Sequence, residues 1–176
     1  MNIFSLLLII LFIFFGLVVL RGAPYVPSRR KYIYQALTDL YPISKKDVLV
    51  DLGSGDGVVL RVAAGLKIKK AIGFELNPIL VGLSRVLSLK NKYIYTYFGD
   101  YWIMKLPNDV TVVYVFSTDR DINKTANFIQ SESNRLNKTI HLISFAFEVK
   151  NKKPVKKLPT YYLYRFDSLQ SLKAQV

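Results

Sequence analysis

Three glycines within five positions, in Asp51-Leu-Gly-Ser-Gly-Asp-Gly57, interrupt the chain directly after the apolar run Asp47–Leu52. Few folds accept such a stretch. A short apolar run ending in glycines reads as a strand buried on both faces. Val58 to about Leu66 then reads as a helix that starts straight after the turn. The alternation continues along the chain. Strands are expected at Lys70–Glu75, Tyr93–Phe98, Val110–Phe116, Thr139–Val149 and Thr160–Phe166, the last one after a Lys/Pro-rich loop. Between them, Asn77 caps a helix with Pro78 at its first position that runs to about Leu89, and Asp119 or Asp121 opens another through about Asn134. Strands alternating with helices imply βαβ units, hence an α/β Rossmann-like parallel sheet with helices on both faces.

Ligands of such sheets bind outside the carboxyl ends of the strands, near the point where strand order reverses. Glycines at that edge let a ligand approach bare main chain, and they permit positive φ. The helix amino terminus that follows adds free N–H groups and a partial positive charge. Glu75 ends the second strand, where a carboxylate can accept both hydroxyls of a ribose. Gly99-Asp100 follows the third, where a carboxylate could accept from an adenine amino group. Together these describe a pocket for an adenosine-containing ligand. The glycine spacing is G-x-G-x-G, not the dinucleotide fingerprint G-x-G-x-x-G. The preceding Asp51 suits an ammonium or sulfonium better than a pyrophosphate. A nicotinamide dinucleotide protein is the rival reading.

Composition removes other chemistries. The chain of 176 residues has no Cys and a single His, His141. It therefore holds no disulfide, thiolate nucleophile or Cys-based zinc site. His141 lies early in an expected buried strand and reads as a packed residue. No metal ligand and no catalytic base is assigned.

The set Asp51, Gly53, Gly55, Gly57, Glu75 and Asp100 resembles the class I S-adenosylmethionine-dependent methyltransferases. An apolar amino-terminal helix, Pro24-Tyr-Val-Pro27, Gly73-Phe-Glu-Leu-Asn-Pro78 and Asp100-Tyr-Trp102 extend the likeness. The chain is similar, from residue 1 to about Phe166, to the membrane-anchored protein-lysine methyltransferases typified by the mitochondrial ATP synthase c-subunit lysine methyltransferase. That resemblance implies a seven-stranded sheet, S-adenosyl-L-methionine as cofactor and a protein lysine as acceptor. It implies a cofactor-binding set of Asp51, Gly53, Ser54, Gly55, Gly57, Glu75, Asn77 and Asp100. The glycines and Asp51 would line the methionyl part, Glu75 the ribose and Asp100 the adenine. The chain departs from the family pattern in carrying Val58 where Arg is frequent, and Phe116-Ser-Thr-Asp119 where a Pro-containing turn is usual. A small-molecule or lipid acceptor, and a non-catalytic cofactor-binding assembly factor, are the alternative readings.

Ile3–Leu20 is an uncharged run interrupted only by Ser5 and Gly16. As a helix it would span about 27 Å, close to the ~30 Å hydrocarbon core of a bilayer. Residues 1–20 are therefore expected to be a transmembrane anchor, 21–41 a basic Pro-containing juncture with a leading helix capped by Ser28, and 42–176 the methyltransferase domain. Residues 21–46 carry Arg21, Arg29, Arg30, Lys31, Lys45 and Lys46 against one acid, Asp39. The positive-inside rule puts the body on the cytoplasmic or matrix side. The formal charge is +13. Lys150, Lys152, Lys153, Lys156, Lys157 and Arg165 contribute a second basic stretch, and with the juncture they suggest a surface for anionic lipid headgroups rather than nucleic acid. A lysine acceptor would need an apolar or aromatic slot to shed its proton. Candidates are Tyr25, Tyr101, Trp102 and Phe116.

Overall fold

The computed structural model describes residues 2–21 and 29–173. Seven strands form one sheet: β1 (Val48–Leu52), β2 (Lys70–Glu75), β3 (Ile94–Phe98), β4 (Val112–Phe116), β5 (Ile140–Phe145), β6 (Lys156–Leu158) and β7 (Tyr161–Phe166). Their spatial order is β3-β2-β1-β4-β5-β7-β6. The first five run parallel, and β7 is antiparallel to both of its neighbours. Strand order reverses between β1 and β4, so the Gly-rich turn after β1 lies at the switch point.

The central strands are buried on both faces, which is why β1 reads as continuous Val-Leu-Val-Asp-Leu rather than as an alternation. On one face, Leu49, Ala71, Val112, Tyr114 and Ile143 pack against α2 (Arg30–Gln35), the π-helical turn Ala36–Leu40 that continues it, and α3 (Val58–Gly65). On the other, Val50, Ile72, Phe74, Val113, Val115 and Leu142 pack against α5 (Ile122–Leu136) and the loop residues Leu106 and Val110. Burial of this kind contributes about 25 cal/mol per Å² of apolar surface. The remaining helices are α1 (Ile3–Arg21), α4 (Pro78–Ser88) and α6 (Leu169–Lys173).

Several local expectations change. The leading helix becomes α2 plus a π turn that Tyr41 N–H closes onto the Ala36 carbonyl at 3.0 Å. Its Ile33, Ala36, Leu37 and Leu40 are buried in the domain's core. The capping position is Arg29, without a side-chain cap, and the expected Ser28 cap and Tyr25 lie outside the described residues. β5 stops at Phe145 rather than Val149, because Ala146 turns into positive φ (72°) and Ser144 Oγ donates to the Phe147 carbonyl at 2.6 Å. The Lys/Pro-rich stretch, expected as loop, supplies β6. It pairs with β7, with Lys156 opposite Leu163. Asn77 caps α4 as expected, its Oδ1 accepting from Ile79 N–H at 2.9 Å. Asp121 precedes α5 without capping it and instead accepts from Arg120 at 2.8 Å.

The apolar run folds as α1, with Asn2 Oδ1 accepting from Ser5 N–H at 2.8 Å. Side chains of α1 are described only over its first turns, and there Phe4, Leu7, Ile10 and Phe12 are exposed. Among the described residues no helix is long and apolar enough to cross a membrane. The expected anchor thus rests on the sequence alone.

Candidate active site

The turn after β1 takes the form its glycines permit. Gly53, Gly55 and Gly57 have φ of 79°, 54° and 81°. Gly53 and Ser54 N–H both donate to the Phe74 carbonyl, at 2.9 and 3.0 Å, which folds the turn back over the end of β2. A Cβ placed on Gly53 would meet nothing within 4 Å, so its main chain faces open space. A Cβ on Gly57 would collide with Ser84 Oγ at 2.2 Å, so this glycine lets α4 approach the turn. The Ser54 side chain points down onto Gly73, away from the open side.

Glu75 sits at the tip of β2 and is buried. Its Oε2 accepts from Gly55 N–H at 2.8 Å and its Oε1 from Asn77 N–H at 2.7 Å. Two main-chain donors therefore fix the carboxylate and tie the Gly-rich turn to the start of α4. Each oxygen retains a second acceptor direction for a ligand hydroxyl. Asn77 serves this arrangement as a helix cap and as a donor to Glu75, not through a side chain aimed at a ligand. Asp56 is held by Arg61, which reaches it at 2.8 Å. That cation stands one turn beyond Val58 and clamps the loop from within α3. Asp100 follows β3, where Gly99 N–H donates to the Glu75 carbonyl at 3.0 Å, and its Oδ1 accepts from Trp102 N–H at 3.0 Å.

Asp51 decides the electrostatics. It lies one residue before the end of β1, fully buried, and burial together with the charges of Glu75 and Asp56 pushes its carboxyl well above the ordinary range. Carboxylates crowd this edge, and a cationic ligand would relieve them. The Tyr101 hydroxyl lies in the same field: burial and the charges of Asp121, Asp100 and Glu75 hold it protonated.

Two aromatic groups flank the turn. Tyr101 stacks at 4.6 Å on Trp102, which carries Lys124 Nζ 4.0 Å above its ring. Phe116, at the tip of β4, meets Phe145 at 5.2 Å and Phe147 at 6.5 Å, and Phe145 meets Tyr161 at 4.9 Å. Tyr161 in turn feels the charge of Asp51. The candidate slot residues Tyr101, Trp102 and Phe116 thus divide between two clusters. Sequence reasoning does not reach Phe145, Phe147 and Tyr161, although aromatics at the end of a strand beside β4 are a readable signal. His141 lies at the opposite, amino-terminal end of β5, 5.1 Å from the Tyr41 ring, and takes no part in the site.

The fold is similar to those of solved structures. An RNA methyltransferase from Salinibacter ruber, crystallised with S-adenosyl-L-homocysteine, superposes with a TM-score of 0.69 at 24% identity, covering 80% of this chain and 92% of that one. An S-adenosylmethionine-dependent methyltransferase from Mesorhizobium loti gives a TM-score of 0.52 at 16% identity, covering 66% of this chain and 54% of that one. The fold is that of the class I methyltransferases. In sequence, this methyltransferase-fold chain is 30% identical over 112 residues to the ATP synthase c-subunit lysine N-methyltransferase of Xenopus laevis, covering 62% of this chain and 48% of the relative. It is 40% identical over 63 residues to the adenine nucleotide translocase lysine N-methyltransferase of Mus musculus, covering 36% of this chain and 27% of the relative. Over 55 residues it is 38% identical to a protein-lysine N-methyltransferase of Saccharolobus islandicus, covering 31% of this chain and 34% of the relative. The chain spans about half or less of the length of the curated relatives it matches. No protein-family model matches it.

Proposed function

We propose that this chain is an S-adenosyl-L-methionine-dependent N-methyltransferase acting on a lysine side chain of a protein. The observation that carries the reading is the buried Asp51 beside Glu75 and Asp56, under main chain that Gly53 leaves bare. A crowd of carboxylates over an open glycine turn fits a ligand with sulfonium and ammonium charges, and repels a pyrophosphate. The residues present fit the cofactor: Glu75 is pre-set for ribose hydroxyls, Asp100 lies at the next strand tip for the adenine, and Asp51 faces the cationic end. The similarity to lysine methyltransferases supports the acceptor class.

When bound, the cofactor supplies an already activated methyl group, so the protein mainly positions and excludes water. The acceptor amine must be neutral when its nitrogen attacks, and free lysine has a pKa of about 10.4. Phe116, Phe145 and Phe147 offer an apolar rim at the tips of β4 and β5 in which an ammonium is poorly solvated and releases its proton more readily. Asp51 and Glu75 hold the donor side and stay clear of this proton.

The reading includes anchorage of the chain in a membrane through α1, with the domain on the cytoplasmic or matrix side. Its support is the uncharged Ile3–Leu20 run and the basic residues from Arg21 to Lys46. Incubating membranes that contain the chain with methyl-labelled S-adenosylmethionine, then hydrolysing the protein fraction, tests the function. Label in methyl-lysine is expected. Label confined to lipid or small solutes would move the acceptor class, and no transfer despite cofactor binding would leave a binding module.

A further inference from the structure

Helix α4 is built inside out. Its buried stripe is Val81, Ser84 and Ser88, whereas Ile79, Leu83, Val86 and Leu87 are 54%, 43%, 63% and 50% exposed. Those four positions follow the i, i+4, i+7, i+8 pattern and fall within an arc of about 100°. An ordinary surface helix turns such a stripe to the core. Here the core side is instead a close contact of small groups, with Ser84 Oγ 2.8 Å from Thr96 Oγ1 and pressed toward Gly57.

The neighbouring strand presents a second exposed surface, on the other face of the sheet. β3 is one edge of the sheet. Its Tyr95 and Tyr97 are exposed on the opposite face from α4, over a groove of about 440 Å³ that Ile72 and Phe74 floor and that Lys70 and Lys105 border. Lys70 Nζ stands 6.0 Å from the Tyr95 ring and Lys92 Nζ 5.5 Å from Tyr93. No acidic residue occurs between Glu75 and Asp100, while Arg85, Lys90 and Lys92 do. On the groove side Asp109 pairs with Lys70 at 3.8 Å. On the α4 side, exposed apolar side chains beside Lys90 and Lys92 have the composition of an interfacial surface.

We propose that the α4–β3 edge rests in the headgroup–acyl boundary of an anionic bilayer, with Leu83, Val86 and Leu87 in the apolar layer and Lys90 and Lys92 among the headgroups. Two observations choose lipid over another occupant. The charge is complementary to anionic headgroups. Residues 22–29 join α1 to α2 and can reach no further than about 29 Å, so a membrane-held α1 keeps the domain within touching distance of the surface. The inference rests on the anchorage reading above. It gives that reading a geometry: the tips of β2 and β3, which carry Glu75 and Asp100, adjoin the seated edge, so the active site opens close to the membrane plane.

The natural absence of Cys provides the test. Full chain is reconstituted into vesicles of phosphatidylcholine and phosphatidylglycerol as single-site variants Leu8→Cys, Val86→Cys and Ser131→Cys, each carrying a nitroxide. Collision with oxygen and with a water-soluble nickel chelate then reports depth. The label at Val86 is expected to be at least about fivefold less accessible to the chelate than that at Ser131 on α5, and more accessible to oxygen. A Leu8 label inside the bilayer with a Val86 label in water would overturn the proposal and leave the anchor standing. A Leu8 label in water would remove the anchorage reading itself. Shielding at Val86 accompanied by dipolar broadening would assign the face to a second copy of the chain and overturn the lipid assignment.

Discussion

The two halves of the sheet end in opposite chemistries. The ends of β1, β2 and β3 carry Asp51, Glu75 and Asp100, the last two fixed by main-chain donors. The tips of β4 and β5 and the start of β7 carry Phe116, Phe145 and Tyr161. The boundary between them is the switch point at β1, where a nucleoside on one side can face an acceptor on the other. Grip and reaction are thus assigned to separate strands, and each can be altered without the other.

Glu75→Gln should have the largest effect. It loses the carboxylate that accepts from Gly55 and Asn77, and affinity for S-adenosyl-L-homocysteine should fall about 100-fold by calorimetry. Glu75→Ala is a blunter variant, because both buried N–H groups lose their acceptor at about 1–3 kcal/mol each, and the melting temperature should drop too. Phe116→Ala should do the reverse of Glu75→Gln. Cofactor affinity should hold while turnover falls about 10- to 100-fold, and a variant that lost both would dissolve the division of labour.

Asp51→Asn sharpens the electrostatic side. The folded carboxyl is raised, so its stabilising contribution is complete below about pH 4 and is lost as pH rises through the folded value. The variant should therefore melt higher than the parent at neutral pH and match it below about pH 4, while binding S-adenosyl-L-methionine about tenfold more weakly. Equal melting at both pH values would contradict the crowding of carboxylates. Arg61→Ala releases Asp56 and should weaken cofactor binding only about two- to fivefold. The smallest effect belongs to His141, far from both halves of the site. Burial and Arg165 depress its pKa, so its contribution is present above about 6.5 and is lost as pH falls through the folded value. His141→Gln should flatten the acid limb of a urea-midpoint profile without changing turnover.

The acidic half of this comparison was legible in the sequence because it is local. Asp51 to Gly57 is one turn, and Glu75 and Asp100 each close a strand whose run of apolar residues announces it. The aromatic half is assembled by the sheet from positions 116, 145 and 161, and only strand order brings them together. The Lys/Pro-rich stretch hid β6, since Lys156–Leu158 is an edge strand with exposed side chains and no apolar run. The break in β5 at Ala146 was equally hidden, because a positive φ at alanine follows from tertiary context and not from composition. The inverted face of α4 was in plain view at Ile79, Leu83, Val86 and Leu87, yet periodicity alone cannot say which side of a helix meets the core.

Calorimetry of the full chain with S-adenosyl-L-homocysteine, alongside Glu75→Gln, addresses the central claim most directly. Saturable heat from the parent at one ligand per chain, nearly absent in the variant, is the predicted result. A folded parent that takes up no ligand, or a variant that binds as well as the parent, would contradict the site at the tips of β1 and β2.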